Sequence, residues 1–417
     1  MEHTYVASDA VEIKTIKLSS LNGKKSYDLR KQVTSFSIYE DLLFPVVRAE
    51  FLLVDALDLL NTFPIIGEET IEIEFANPGF DRTCNYTFHV KSVENQINSP
   101  QGKSKSYIIR AYSEEFIQNL HQIVSEKKQG SPETIVTNIL KNNLKTEKQI
   151  YVGDPTKGTL EITFTNNRPF QVIDFIRKSS VSGKYKSSSY VLYENNRGFN
   201  FCTIEYLMDK QQGVIKDKQF FFDTAGKIDP KNMNTRTLMS LVNTSQVDNT
   251  KKISQGSLNN DVRRFDLLTG KVALTNYKNS EKQKEFKFGS KYPLPLNTSS
   301  YENQYGSDAA TKMFIPHSSD LPENYIDAAM GYKHSFVTKI AQNTFQAYIN
   351  GDVAMSVGDL ITINIPAATG ATDNPGDNRL ISGNYLISKL RHIVLNGVKS
   401  SYTMSVELIK GFYEDHS

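Results

Sequence analysis

Gly67-Glu68, the alternating run Ile71-Glu72-Ile73-Glu74-Phe75, the loop Asn77-Pro78-Gly79, then Asn85-Tyr86-Thr87-Phe88-His89-Val90, Ser99-Pro100-Gln101-Gly102 and Lys105-Ser106-Tyr107-Ile108-Ile109-Arg110 read as a three-stranded meander. Apolar and polar residues alternate between Gly, Pro and Asn punctuation, as half-buried antiparallel strands require. The same order returns near the other end of the chain. Gly358-Asp359 precedes Ile361-Thr362-Ile363-Asn364-Ile365, a longer loop from Ala367 to Asn378, Asn384-Tyr385-Leu386-Ile387, the turn Asn396-Gly397, and Lys399-Ser400-Ser401-Tyr402-Thr403-Met404. A β-module near 65–112 is therefore expected to recur near 357–413, giving one polypeptide two similar surfaces.

Working outward, Val33–Tyr39 and Val46–Asp55 alternate as strands around the turn Glu40–Pro45, and Leu57–Phe63 supplies a short helical turn before Pro64. So many short strands need their edges closed, which favours a barrel. The period changes at Ser113. Ser113 is placed to cap a helix beginning at Glu114, Ser131-Pro132-Glu133 opens a second, and Pro169–Ile176 reads as a third. A hairpin follows, Tyr190–Tyr193 and Phe199–Ile204 around Glu194–Gly198. Further on, Leu238–Val242 reads as helical, Arg263–Lys271 as a strand and turn, 290–325 as an irregular Pro- and Ser-rich loop, Ala328–Gln342 as a helix and Phe345–Ile349 as a strand.

The predicted fold class is mainly β with α+β insertions, built on two antiparallel β-barrel domains in one chain. The expected divisions are 1–112 for the first barrel, 113–210 for an α+β insertion, 211–275 for a connecting segment and the first part of the second barrel, 276–343 for an irregular loop and helix insertion, and 344–417 for the remainder of the second barrel. A chain of 417 residues is long enough for about three such units at roughly 150 residues each.

Forty-eight basic against 46 acidic residues leave a net charge of +2, so no global field draws the chain to nucleic acid or to an acidic membrane. No stretch approaches the ~18 consecutive apolar residues of a membrane helix. The amino terminus Met1-Glu2-His3-Thr4-Tyr5 lacks the basic and apolar regions of a secretory signal, and folding in a cytoplasm is expected. Cys84 and Cys202 lie far apart in strand-like segments and read as reduced, buried thiols.

Chemical motifs are sparse. HExxH, GxSxG and GxxxxGK[ST] are all absent, and the seven histidines, His3, His89, His121, His317, His334, His392 and His416, show no metal spacing. His89 in an alternating strand reads as a cross-strand residue. Glu68-Glu69 and Asp359 read as solvated acids in turns entering strands, and Lys103-Ser104-Lys105, Lys184-Tyr185-Lys186 and Lys251-Lys252 as solvated loops. No catalytic, cofactor-binding or metal site is expected, and no enzyme activity.

The order of segments points to a family. Ile38-Tyr39-Glu40-Asp41, Leu53-Val54-Asp55 and Phe63-Pro64-Ile65-Ile66-Gly67-Glu68-Glu69 resemble the amino-terminal barrel of baseplate hub proteins from contractile-tailed phages of the T-even type. Phe175 onward with the Tyr190–Phe201 hairpin is similar to that family's insertion domain, Phe265-Asp266-Leu267 to its return strand, and the run from His334 through Gly351-Asp352 and Val357-Gly358-Asp359 to Tyr385 and Leu408 to its second barrel. The likeness covers most of 30–413 and lies in colinear order; it does not extend to 210–260 and 290–325. It implies tail-tube-like barrels and a homotrimer whose two barrels per chain close a pseudo-sixfold ring. The implied partners are a hexameric tail tube protein, a trimeric central spike protein, other baseplate proteins, and genome DNA passing through without specific binding; no membrane partner is implied. The implied location is the virion tail baseplate. The alternatives are a tail-associated cell-wall hydrolase and a component of a type VI secretion-like spike, the latter disfavoured because no β-helical repeat follows residue 413.

Overall fold

Alternation becomes strand through most of the chain. The computed structural model describes residues 9–21, 23, 25–78, 82–99, 104–209, 215–222, 237–244, 248–278, 304, 311–317, 326–341, 344–365, 378 and 381–410. The first module consists of β1 (Glu12–Ser19), β3 (Val33–Asp41), β4 (Arg48–Asp55), β5 (Thr70–Ala76), β6 (Thr83–Asn98) and β7 (Lys105–Ser113), with β2 (Ser26–Asp28) hairpinned onto β1 and the short helix α1 (Leu59–Thr62) after β4. The second consists of β13 (Ile215–Phe222), β14 (Thr237–Asn243), β18 (Thr344–Asn350), β19 (Leu360–Asn364), β20 (Gly383–Leu395) and β21 (Ser401–Lys410). Across the sheet the orders are β1-β5-β6-β7-β4-β3 and β13-β19-β20-β21-β18-β14. Each order is first, fourth, fifth, sixth, third, second, so the duplication extends from the meander to all six strands.

The register shows how the copies superpose. Ile71 lies opposite Phe88 as Ile361 lies opposite Tyr385. A bulge follows Val90 in β6 and Ile387 in β20. The Val90 and Ile387 amides donate to the Glu69 and Asp359 carbonyls at 2.9 and 3.0 Å. A second bulge falls at Thr34 in β3 and Met239 in β14. Tyr385 is thus the counterpart of Phe88, not of Tyr86, and Asp359 that of Glu69, not Glu68. The Asn-Tyr landmark slid by two residues, one full pleat, so the same side chains still face inward.

Each barrel is filled from its inward positions. Phe36, Phe51, Phe75 and Phe88 meet at ring-centroid separations of 5.5–6.3 Å in the first, while Tyr385, Tyr402, Met404, Val406 and Leu408 fill the second. Full burial of one such side chain is worth about 1.5–3 kcal/mol. Both sets belong to one continuous core.

Two sequence expectations are corrected. Leu238–Val242 is strand β14, not helix, because five residues cannot sustain an isolated helix and β18 offers a hydrogen-bonded ladder. The second barrel is not purely antiparallel: β13 pairs parallel with both β19 and β14. Parallel neighbours need a crossover of about a dozen residues, and the sequence separation between the end of β13 at Phe222 and the start of β14 at Thr237 is long enough for one.

Between the modules, α2 (Glu114–His121), β8 (Lys127–Gly130), α3 (Pro132–Asn138) continuing as a π turn over Ile139–Asn143, β9 (Ile150–Val152), β10 (Leu160–Thr163), α4 (Pro169–Ser179), β11 (Tyr190–Asn195), β12 (Gly198–Thr203) and α5 (Ile204–Met208) form an α+β unit. Its own core includes Ile135, Ile139, Val172, Ile176, Tyr190 and Phe201. The predicted hairpin is β11–β12, with β9 added in parallel. Within the second module, α6 (Asn249–Ser254), β15 (Asn259–Asp266), β16 (Val272–Lys278), β17 (Thr311–His317) and α7 (Ile326–Ala341) make a small sheet-and-helix excursion. Strand β17 falls where an irregular loop was expected; of 290–310, only residue 304 lies among the described residues.

Candidate functional site at the junction of the two modules

Strand β20 belongs to both modules. Its first residues pair with β19, and beyond the bulge the same edge pairs with β3: Lys389 with Asp41, Arg391 with Tyr39, Ile393 with Ser37 and Leu395 with Ser35. One hydrogen-bonded sheet therefore runs from β18 to β6 without a break.

Beneath this ladder lies a buried polar knot. The Glu40 carboxylate accepts from the Tyr86 hydroxyl at 2.9 Å, the Asn196 amide at 3.1 Å and the Val357 amide at 2.8 Å. These donors come from the first module, the β11–β12 turn and the second module. His392 is fully buried beside it; its Nε2 lies 3.9 Å from Glu40 and its Nδ1 meets the Tyr402 hydroxyl at 2.6 Å. Burial and the neighbouring Glu40 raise the Tyr86 phenol well above its ordinary value, so it stays a donor. Such a carboxylate is stable in the interior only while every acceptor position is met.

A lysine bridge within the insertion and an ion pair to the second module brace this junction. Lys148 bridges Glu115 and Glu194 at 2.7 Å each, and Glu194 also accepts from the Val47 amide at 3.0 Å. Burial pushes the Glu194 carboxyl up against the pull of Lys148. Arg197 pairs with buried Asp359; burial opposes its charge, but Asp359 outweighs that and raises its pKa.

The other face of the shared sheet carries charged and aromatic side chains. Arg110 lies 3.1 Å from Glu50 and 3.3 Å from Glu94, Lys389 lies 2.9 Å from Glu407, and the Tyr39 hydroxyl donates to Glu50 at 2.8 Å. Arg48 and Arg391 lie over the Tyr39 ring at 5.8 and 5.2 Å. Cation and carboxylate thus answer each other along the face.

Several singled-out residues prove structural. Glu69 and Asp359 are buried, not solvated: Glu69 accepts from the Ile66 and Gly67 amides at 2.9 Å, and Asp359 from the Ser356 amide at 3.1 Å. Each ties down a turn that needs a left-handed glycine, Gly67 at φ 96° and Gly358 at φ 89°. Glu68 is exposed and His89 half-buried on β6. Lys105 pairs with Asp58, Lys184 with Asp209 and Lys251 with Asp248, while Lys103 lies outside the described residues. Cys84 and Cys202 are free, buried thiols. Sequence reasoning missed Glu40 and His392. Their one signal was a polar residue at an inward position of an alternating strand. Among the described residues no group of three or more His, Cys, Asp or Glu side chains is arranged to hold a metal, and no helix is long and apolar enough to cross a membrane.

No family model matches the chain. It is 23% identical over 393 residues to a probable baseplate hub protein of Vibrio phage KVP40, covering 88% of this chain and 87% of that one. Among solved structures it resembles a tail protein from Neisseria meningitidis MC58 (TM-score 0.56, 10% identity, 95% and 96% of the two chains). It also resembles the 43 kDa tail protein of prophage MuSo2 from Shewanella oneidensis (TM-score 0.53, 9% identity, 95% and 98%), and prophage tail protein gp18 from Listeria monocytogenes EGD-e (TM-score 0.51, 11% identity, 96% of each). The chain is a relative of a phage baseplate hub protein and has the fold of phage tail proteins.

Proposed function

We propose that this protein is a structural hub of a phage tail baseplate, a non-enzymatic homotrimer whose six modules close a pseudo-sixfold ring joining a six-subunit tube to a three-subunit spike around a DNA channel. The observation that carries this is the β20–β3 ladder together with two strand edges that have no partner among the described residues. In the first module the strand equivalent to β20 is β6; β5 pairs with its Thr83–His89 portion, and no strand among the described residues covers that edge from Lys91 to Asn98. In the second module the strand equivalent to β3 is β14, whose edge beyond Leu238 has no strand partner among the described residues. Among the described residues, the junction made within the chain has an unfilled counterpart at each end.

Repeating that junction between chains sets β6 of one copy against β14 of the next. Transfer of the β20–β3 register places Glu94 opposite Thr244 of the next copy and Ile97 opposite its Val242. Ile97 and Val242 are exposed apolar residues in the single chain, and an unpaired strand edge is itself a template for pairing. Such a head-to-tail contact closes into a ring when the rotation permits, and three two-module chains present six similar positions to a sixfold partner.

The face opposite the core then lines the channel. Its arginines and lysines are largely met by carboxylates or hydroxyls, so few counterions are exchanged with a passing duplex and phosphate binding stays weak. Sedimentation analysis of the purified protein tests the assembly, with three times the chain mass expected. A persistent monomer, alone and with its spike, would count against it, and degradation of purified peptidoglycan would favour the hydrolase alternative.

A further inference from the structure

The small sheet carried by the second module has one covered face and one bare face. Strands β15 and β16 pair from Asn259 opposite Lys278 to Phe265 opposite Val272. On the α7 side Val262 and Tyr277 are buried; Tyr277 meets the Tyr332 ring edge-on at 6.3 Å, and the Asn260 amide donates to the Gly331 carbonyl at 3.1 Å. Successive side chains alternate between faces, so Phe265, Val272 and Leu274 share the other one. There they stand in water, Val272 60% and Leu274 55% exposed. The turn adds Leu267 and Leu268, both exposed. It is a held turn: the Asp266 carboxylate accepts from the Leu268 amide at 2.9 Å, and Gly270, at φ 65°, donates its amide to the Asp266 carbonyl at 2.8 Å.

The hairpin also ends in an edge. β15 lies between β17 and β16, and no strand among the described residues pairs with the outer side of β16. Natural edges are commonly blunted by a bulge, a proline or a charge within the strand. β16 carries none of these. Its pairs with β15 run without a register shift, and Val272 to Tyr277 contains neither proline nor an ionised side chain. Exposed Lys271 and Lys278 stand at the two ends, with no carboxylate between them.

These features select among possible occupants. A lipid surface would cover the leucines but leave the row of edge amides and carbonyls without hydrogen-bond partners. A second copy laid antiparallel on the same edge would set Lys271 against Lys278, and like charges directly opposite destabilise a strand pair. We propose that the β16 edge is a strand-addition site for an extended segment of a different polypeptide, apolar at alternate positions and carrying a carboxylate at each end. Its backbone completes the ladder, its apolar side chains cover Val272 and Leu274, and its carboxylates meet Lys271 and Lys278. The inference does not depend on the ring described above.

The test places a photo-crosslinking phenylalanine analogue at position 274 of the full chain in cells that assemble the complete particle, and the captured segment is sequenced by mass spectrometry. The expected product is a segment of another polypeptide with alternating apolar residues flanked by Asp or Glu. A product within this chain, with a second copy, with lipid or with a basic segment overturns the assignment, as does no product at all. Lys271→Glu in the same background should lower the yield about fivefold at an unchanged melting temperature; an unchanged yield overturns the acidic ends. Hydrogen exchange of the unsubstituted protein over 272–278 should slow about tenfold or more on assembly, and equal exchange in the free and assembled protein contradicts strand addition. A chain that sediments as a monomer yet gives the expected product loses the ring and keeps this site.

Discussion

The two modules share strand order, turn glycines, turn acids and both bulges, yet one closes and the other does not. In the second, β13 pairs with β19 and touches β14, completing a circuit of six strands. In the first, β1 and β3 never pair; β2 occupies β1's other edge and β3 gives its own to β20. The same six-strand arrangement thus serves once as a closed unit and once as an open one that accepts a neighbour's strand. The difference lies at the edges rather than in the cores, and edges govern assembly.

The largest effect is expected where the modules are locked. Glu40→Ala strips an acceptor from two buried donors and the half-buried Asn196 amide, and leaving buried donors unsatisfied costs about 1–3 kcal/mol each without strict additivity. A loss of about 3–5 kcal/mol in denaturant unfolding is predicted, and a loss below about 1 kcal/mol would show that the junction is not a shared structural lock.

The turn glycines separate the copies next. A Cβ at Gly358 would sit 2.1 Å from the Tyr193 hydroxyl, whereas at Gly67 its nearest neighbour is the Val90 carbonyl at 3.9 Å. Both positions have positive φ, so Gly67→Ala should cost about 1 kcal/mol from backbone strain alone. Gly358→Ala should cost more, and equal melting-temperature shifts would remove the asymmetry.

A smaller difference is set by pH. By register, buried Lys410 of the second module stands where the first has Ser113, which donates to the Val47 carbonyl at 3.2 Å. Burial pushes Lys410 down to about 7. An unfolded lysine titrates near 10.4, so between those values the native state holds fewer protons and stability rises with pH. A full proton is worth about 1.4 kcal/mol per pH unit. Lys410→Met should flatten the stability profile between about pH 7 and 10, and an unchanged slope would assign it to other groups.

The smallest effect is expected on the charged face. Arg110 and Glu407 are register equivalents of opposite sign, each answered by partners of its own. Glu50→Gln combined with Glu94→Gln should change stability by less than about 1 kcal/mol. It should also increase salt-sensitive retention on duplex DNA; no increase would mean that charge pairing does not keep the face from phosphate.

The meander, the insertion hairpin and α4 were legible in the sequence because period and punctuation are local. Ile71-Glu72-Ile73 and Ile361-Thr362-Ile363 declare their faces without any neighbour. The alignment of the copies was legible only to within one pleat, since alternation is unchanged by a two-residue slide. Leu238–Val242 was misread because its partner β18 lies about a hundred residues away, and long-range pairing overrides local preference. The junction was not legible: Glu40, Asn196, Val357 and His392 are brought together only by the finished fold, and a lone acid in a strand reads the same whether solvated or buried.

The central claim is that the junction between β20 and β3 is repeated between chains by β6 and β14. Cysteines placed at Ile97 and Val242 and oxidised under mild conditions test it directly, Cys84 and Cys202 being buried. A disulfide-closed trimer on a non-reducing gel, dispersed by reductant and absent from either single variant, is the predicted result; free monomer, or a bond formed only within one chain, would contradict it.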